Sequence, residues 1–456
     1  MSIQKRLSFE LDDKIDETLT TAHAGIPLVA ELFRACGAAE VMEHRASPKR
    51  RDRGLKAYEM AQSFFALWLS GGERCEDLER LREDRALAQL LGHDLPPART
   101  ARSFLEGFHA EDLPLLQVGE HATVPAESAL VEGLAAVSGQ VVRYLQQQKP
   151  VTQATLDVDA TILESDKQAA KSTYDGRRGY QPVFVLWAEQ DVIVADEFRD
   201  GNVPAGSGNL RVVQKAVEAL PPGVEQIRVR GDSALYEHAL LDWLAARGIG
   251  FAVSADMSRE LRALIEALPE QAWRTDREEP GAVRQWAEVA FVSDEQRSRE
   301  PHRYLALRVL KKQGSLFADG SDRRHYAIVT NLPGDGLELI HWHRGKAGSV
   351  EHSHDILTNE LAAEALPSQK FGANGAWVRF NVILYNLLSA LKRLTLPAEL
   401  RTARPKRLRF LLFNTVGRVI HHARETLLRL SSALARRLFD AARVILQGLP
   451  PPLPAV

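Results

Sequence analysis

Residues 155–162 read TLDVDATI. The apolar Leu156, Val158 and Ile162 alternate with Thr155, Asp157, Asp159 and Thr161, which is the period of a β-strand. Both aspartates then share one face. A strand that opens a mixed sheet is central and covered on both sides, so two carboxylates there are costly without partners. Basic side chains, helix N-termini or a metal ion remove that cost. A divalent ion suits a carboxylate pair, and hard Mg²⁺ or Mn²⁺ takes oxygen ligands.

The pattern on either side extends the reading. Residues 182–187 (PVFVLW) and 192–198 (VIVADEF) are strand-like, with 188–191 as a hairpin turn. Residues 209–220 form an amphipathic helix, 226–230 a short strand, 235–247 a helix and 249–254 a further strand. Three strands followed by alternating helices and strands predict an α/β fold, a mixed sheet with helices on its faces. After a helix near 257–268, alternating runs at 282–292, 303–311, 325–332 and 337–342 predict a β-rich insertion. Helix resumes near Ser349 and again over 377–394. Residues 407–446 read as one or two basic amphipathic helices, and the closing GLPPPLPAV as an unstructured tail. Upstream, IPLVAELFRACG, YEMAQSFFALWL and SALVEGLAAVSGQVVRYLQQQ make residues 20–148 helical, with 146–150 as a linker. The expected organisation is a helical region (1–150), a first part of the core (151–256), the β-rich insertion (257–340), a second part of the core (341–395) and a basic helical region with the tail (396–456).

A 456-residue chain, 45% hydrophobic and 26% charged, is that of a soluble protein with more than one domain. No run of 18 apolar residues predicts a membrane span, and MSIQKRLSFELDDK lacks the apolar core of a secretory signal. Cys36 and Cys75 are the only cysteines and have no metal-ligand spacing, so a reduced, cytoplasmic setting is expected. The net charge of −2 is uninformative, but its distribution is not. Residues 392–443 hold thirteen Lys or Arg against three acids. A second cluster is Arg45, Lys49, Arg50, Arg51, Arg53 and Lys56, interrupted by Asp52. Basic regions of this kind suit a polyanionic partner, although ordinary solvated helix faces account for them equally well.

Two further acids stand out. Asp232 in IRVRGDSAL follows the end of a strand, where functional groups of open α/β sheets gather. A helix N-cap is its alternative role, which Ser233 can fill alone. Glu351 lies in the first turn of a helix within HWHRGKAGSVEHSHDILTNELA, with His354, Asp355 and Thr358 at three-, four- and seven-residue spacing. A lone Glu there is ordinarily a surface residue that compensates the helix dipole. His341, His343, His352 and His354 surround it. Zinc takes imidazole readily, yet i, i+2 pairs diverge on a helix, which favours supporting or DNA-facing roles.

With an Asp on the first strand, an Asp after the fourth and a Glu on a later helix, the chain resembles a known family. The stretches LDVDATI, STYDGRRGYQPV, FRDGNV, IRVRGDSAL, YAIVTNL, RGKAGSVEH and FGANGAW resemble the DDE transposases of bacterial insertion sequences. The likeness is greatest to the group numbered thirteen-eighty, related to the superfamily numbered four, and spans roughly residues 150–395. It implies a ribonuclease-H-like nucleotidyl-transferase core in which Asp159, Asp232 and Glu351 are catalytic and bind two Mg²⁺ (or Mn²⁺) ions, with Asp157 as the runner-up to Asp159. The 118 residues between Asp232 and Glu351 match the β-rich insertion of such enzymes. The implied activity is metal-dependent cleavage at element ends and strand transfer into target DNA, that is, cut-and-paste transposition. The implied partners are double-stranded DNA, as terminal inverted repeats and target, and a second copy of the chain. The implied setting is the bacterial cytoplasm at the nucleoid. Arg177, Arg178, Arg344 and Lys346, with Lys171, are the expected phosphate contacts, and the N-terminal helical region the reader of the ends. The accessory tyrosine–arginine–glutamate–lysine signature fits only at Arg344 and Glu351: His341 or Trp342 stands in place of Tyr, and Thr358 in place of Lys. The alternatives are an inactive, transposase-derived DNA-binding protein and another metal-dependent nuclease of the same fold.

Overall fold

The alternating aspartate stretch forms β1 (Gln153–Ala160) in a computed structural model that describes residues 18–49, 51, 53–120, 122–292, 301–311, 317 and 321–453. Leu156 and Val158 are fully buried on one face. The chain turns back through β2 (Val183–Trp187) and β3 (Val192–Glu197), both antiparallel. It crosses by α6 (Asn209–Ala219) to β4 (Gln226–Gly231), which pairs parallel with β1, and by α7 (His238–Ala246) to β5 (Gly250–Ser254), parallel to β4. These five strands lie in the order β3-β2-β1-β4-β5, so β1 is interior.

The expected insertion continues this same sheet. After α8 (Arg259–Glu266), β6 (Arg274–Glu279), β7 (Ala282–Phe291), β8 (His302–Lys311) and β9 (Arg323–Thr330) form an antiparallel meander. β9 pairs with β5, giving one nine-stranded sheet in the order β6-β7-β8-β9-β5-β4-β1-β2-β3.

The N-terminal residues are helical where the apolar spacing demanded it. They form α1 (Pro27–Ala35), α2 (Ala38–Arg45), α3 (Ala57–Ser70), α4 (Ala98–Glu106) and α5 (Ala129–Gln148). A small hairpin, Leu115–Gln117 with Thr123–Pro125, interrupts them. α5 runs through most of the expected linker. The helices share one core with α11 (Phe371–Thr395): the Trp68 ring stands edge-on to Trp377 at 4.7 Å, and Phe64 packs on Phe380. Aromatic contacts of this kind add to the burial itself.

Three expectations fail for local reasons. Residues 337–342 are not a strand but part of α9 (Gly336–Arg344), because the Asp335 carboxylate caps the Leu337 and Glu338 amides. Ile340, with Leu337, Leu339 and Trp342 around it, covers Trp286, Leu305 and Ile328 of the sheet. Residues 407–446 are not continuous helix: β10 (Gly417–His422) and β11 (Glu425–Leu430) form a hairpin before α12 (Ala433–Gly448). The tail is held as far as Leu453, since Tyr144 donates to the Pro450 carbonyl and Gln147 bonds Pro451 and Leu453. Residues 1–17, Arg50, Asp52 and 454–456, on which some expectations fell, lie outside the described residues. Among the described residues no helix is long and apolar enough to cross a membrane.

Candidate active site

The parallel register of β1 and β4 brings two of the three acids together. Arg230 pairs with Asp157 and Gly231 with Val158, so one further residue along each strand sets Asp232 beside Asp159. Helix α10 (Val350–Asn359) packs over β1 and β2 and carries Glu351 in its first turn, exposed.

Asp157 is completely buried and fully engaged. Arg230 meets it with two bonds, Nε to Oδ1 at 2.6 Å and Nη2 to Oδ2 at 2.8 Å, and Ser349 Oγ donates to Oδ2. The guanidinium lies against the Trp342 ring at 5.0 Å and donates to its carbonyl. Gly345 leaves room for it, because a Cβ there would stand 2.8 Å from Arg230 Nη1. Bidentate arginine–carboxylate pairing of this type is the strong, directional kind.

Asp159 is less well served. Lys346 Nζ lies 3.4 Å from its Oδ1 and 3.9 Å from Asp232 Oδ2, so one ammonium spans both carboxylates. Burial, aided by the charges of Asp232 and Glu351 and opposed by Lys346, pushes the Asp159 carboxyl up to about 6. His354 Nδ1 stands 3.8 Å from Oδ2, too far for a hydrogen bond. Burial, and then the Lys346 charge, drive its imidazole down to about 3, so the ring is neutral; its Nε2 is buried with no partner among the described residues. The ring packs against Phe184 at 5.4 Å. Asp232 divides its two oxygens: Oδ1 caps the short helical turn Ser233–Leu235 through the Ala234 amide at 3.0 Å, and Oδ2 faces Lys346. Asp232, not Ser233, is therefore the cap, and it still has an oxygen to offer.

Among the described residues no three His, Cys, Asp or Glu side chains are already drawn into metal-holding geometry. The donor chemistry nevertheless fits a hard divalent ion. Asp159 and Asp232 are oxygen donors that already enclose a cation, the Lys346 ammonium, and Glu351 is near enough for its charge to act on Asp159.

The four expected phosphate contacts are all engaged inside the chain. Arg344 pairs with Asp276 of β6 at 2.6 Å, and His341 meets the same carboxylate at 2.8 Å. Arg177 pairs with Asp175 and Glu164, and Arg178 bonds the Gln168 and Ala170 carbonyls. Lys346 is buried against the aspartates. His343 bonds the Gly231 carbonyl at 2.9 Å. On α10, His354 turns inward while Asp355 turns out to Arg404, so the two do not share a face. Sequence reading missed the Lys346 bridge and the Asp157–Arg230–Ser349 cluster. Only the strand register, which the sequence does not print, brings these groups together.

A family model, transposase DDE domain group 1, matches residues 17–450. The chain belongs to this transposase family. No curated protein matches it. Among solved structures it is similar to the piggyBac transposase synaptic complex with hairpin DNA, determined by cryo-EM. The identity is 10%, over 81% of this chain and 74% of that one, with a TM-score of 0.41.

Proposed function

We propose that the chain is a cut-and-paste DNA transposase whose ribonuclease-H-like core uses Asp159, Asp232 and Glu351 to hold Mg²⁺ or Mn²⁺. The observation that carries this reading is the Asp159–Asp232 pair enclosing one cation at the end of adjacent parallel strands, under the helix that bears Glu351. The strand order β3-β2-β1-β4-β5, with the acids on the first strand, after the fourth and on a later helix, supports the ribonuclease-H-like assignment. The family match supports the transposase assignment.

Bound divalent ions would activate an attacking water or 3′-hydroxyl and stabilise the leaving oxygen of the phosphodiester. The chain's own residues prepare that site. Asp157, Arg230 and Ser349 lock β1 to the start of α10, so that Asp159 and Glu351 are held in relation to each other. His354 and Phe184 form an apolar wall against Asp159, which strengthens charge interactions at its carboxylate.

DNA would leave the pocket along α10. Asp355 of that helix pairs with Arg404, and Glu360 at its end borders a groove with Lys406, Arg407 and Phe410. Lys406 and Arg407 are exposed, and among the described residues neither has a carboxylate within ion-pair distance. Phe410 is 77% exposed, with Arg407 over its ring. Glu360 is nine residues from Glu351, about 13 Å along the helix, or roughly four nucleotides of one DNA strand. Arg344, Lys346, Arg177 and Arg178 would add phosphate contacts once released from their internal partners. The N-terminal helical region would read the terminal repeats, its exposed Arg51, Arg53 and Lys56 contributing charge. Joining two ends calls for two copies of the chain, and the bacterial cytoplasm is the expected setting.

The test is incubation with duplex DNA carrying the element's own ends plus Mg²⁺ or Mn²⁺. Nicking at the ends and joining to target DNA is the expected result. Binding of the ends without any metal-dependent cleavage would contradict the reading and point to a transposase-derived binding protein.

A further inference from the structure

We propose that Lys346 is the resident counter-cation of Asp159 and Asp232: it holds the pair together in the metal-free chain and competes with an entering divalent cation for the same oxygens. The inference rests on the reading of those aspartates as metal ligands. Lysine is almost never buried unless paired, and here the ammonium reaches both carboxylates from one side chain. Its placement is a property of the backbone. Lys346 sits in the short turn Gly345–Gly348 between α9 and α10. Ser349 Oγ ties that turn to Asp157, and the Ser349 backbone N–H donates to the Lys346 carbonyl at 3.0 Å. His343 anchors the preceding helix to the Gly231 carbonyl at 2.9 Å. The turn is therefore pinned to the ends of β1 and β4, with Lys346 aimed between them.

The competition follows from charge. An ammonium and a divalent ion require the same carboxylate lone pairs, and once a metal neutralises the pair the ammonium loses its partner. A flexible four-carbon stem with a point charge can withdraw from such a site more readily than a bidentate arginine fork. Among the described residues no other cationic side chain lies within ion-pair distance of either aspartate; the His354 ring, 3.8 Å from Asp159, is neutral.

The experiment is a Mn²⁺ titration of the full chain, reading free Mn²⁺ by electron paramagnetic resonance, beside thermal unfolding with and without Mn²⁺. Lys346→Gln is expected to bind Mn²⁺ roughly tenfold more tightly than wild type, the size of one partly buried charge pair. Its metal-free melting temperature should fall, and its Mn²⁺-induced rise should exceed that of wild type. Lys346→Met, isosteric and uncharged, should behave alike and serves where the Gln variant folds poorly. Lys346→Arg keeps the charge and should retain wild-type metal-free stability and weaker Mn²⁺ binding. Equal or weaker Mn²⁺ affinity in both uncharged variants overturns the inference while leaving the aspartates as ligands. If wild type and variants alike bind no Mn²⁺, the ligand reading itself fails, and this inference with it.

Discussion

Asp157 and Asp159 stand two residues apart on one face of β1, and their surroundings differ in kind. Asp157 is wholly inaccessible and receives Arg230 through two nitrogens as well as the Ser349 hydroxyl. Asp159 keeps 15% of its side chain accessible, has only the longer Lys346 contact and the neutral His354 ring, and has its carboxyl pushed up by burial. A carboxylate held by a bidentate arginine and a hydroxyl is part of the scaffold. One left short of partners is free to take an ion. The difference supports the proposed roles: Asp159, the first choice from sequence, as the ion ligand, and Asp157, the runner-up, as part of the scaffold.

The largest expected effect separates the two on activity. Asp159→Asn, Asp232→Asn and Glu351→Gln should each lower end cleavage and strand transfer by about a thousandfold or more, in line with loss of a group acting on the transition-state charge. A single-turnover assay on end-containing DNA reads this. Asp159→Asn should not lose stability. The folded carboxyl is raised above its ordinary value of 3.8, so its contribution is most favourable below that value and declines as pH rises through about 6. At pH 7.5 the Asn variant should therefore melt no lower than wild type.

Asp157→Asn should show the opposite profile. Removing one partner of a buried pair leaves Arg230 uncompensated, at a cost of about 3–5 kcal/mol in denaturant unfolding. Cleavage by the protein that still folds should fall about tenfold at most, through looser positioning of Glu351, far less than in Asp159→Asn. A stable Asp157→Asn protein without cleavage would reverse the two assignments.

Glu127 offers a third carboxylate of the satisfied kind. Burial alone would raise it, but the Arg379 and Lys215 charges bring it down to about 2. Its folded value lies below the ordinary 4.5, so its contribution is present above that value and is lost as pH falls towards 2. Glu127→Gln should cost about 3 kcal/mol at pH 7, and the loss should vanish in acid unfolding near pH 2.

The sequence carried the sheet but not all of what surrounds it. Alternation located β1, and β4 and β5 were legible as short apolar strands between helices. β6 was not, because RTDREE is a charged edge strand with no apolar face. It is this strand that supplies Asp276, the partner of Arg344. The hairpin β10–β11 was hidden by its turn: Ala423 and Arg424 both adopt positive φ, at 49° and 70°, without the Gly or Asn that marks such turns. The three acids could be named from their elements and from family likeness. The Lys346 bridge could not, since a lysine five residues before a glutamate carries no local signal of which strand edge it will face.

The smallest expected effect concerns DNA outside the pocket. Lys406→Gln with Arg407→Gln should reduce the slope of log affinity against log salt by about 2, with only a modest loss at low salt. Fluorescence anisotropy over a salt series measures it. An unchanged slope would move the DNA path away from α10 while leaving the aspartate contrast intact.

Anomalous diffraction from crystals of the chain soaked in Mn²⁺ tests the central claim most directly. The expected result is a Mn²⁺ peak between Asp159 and Asp232, where the Lys346 ammonium now stands, with Asp157 still joined to Arg230. A chain that seats its Mn²⁺ on Asp157, or away from this strand edge with Lys346 unmoved, would contradict it.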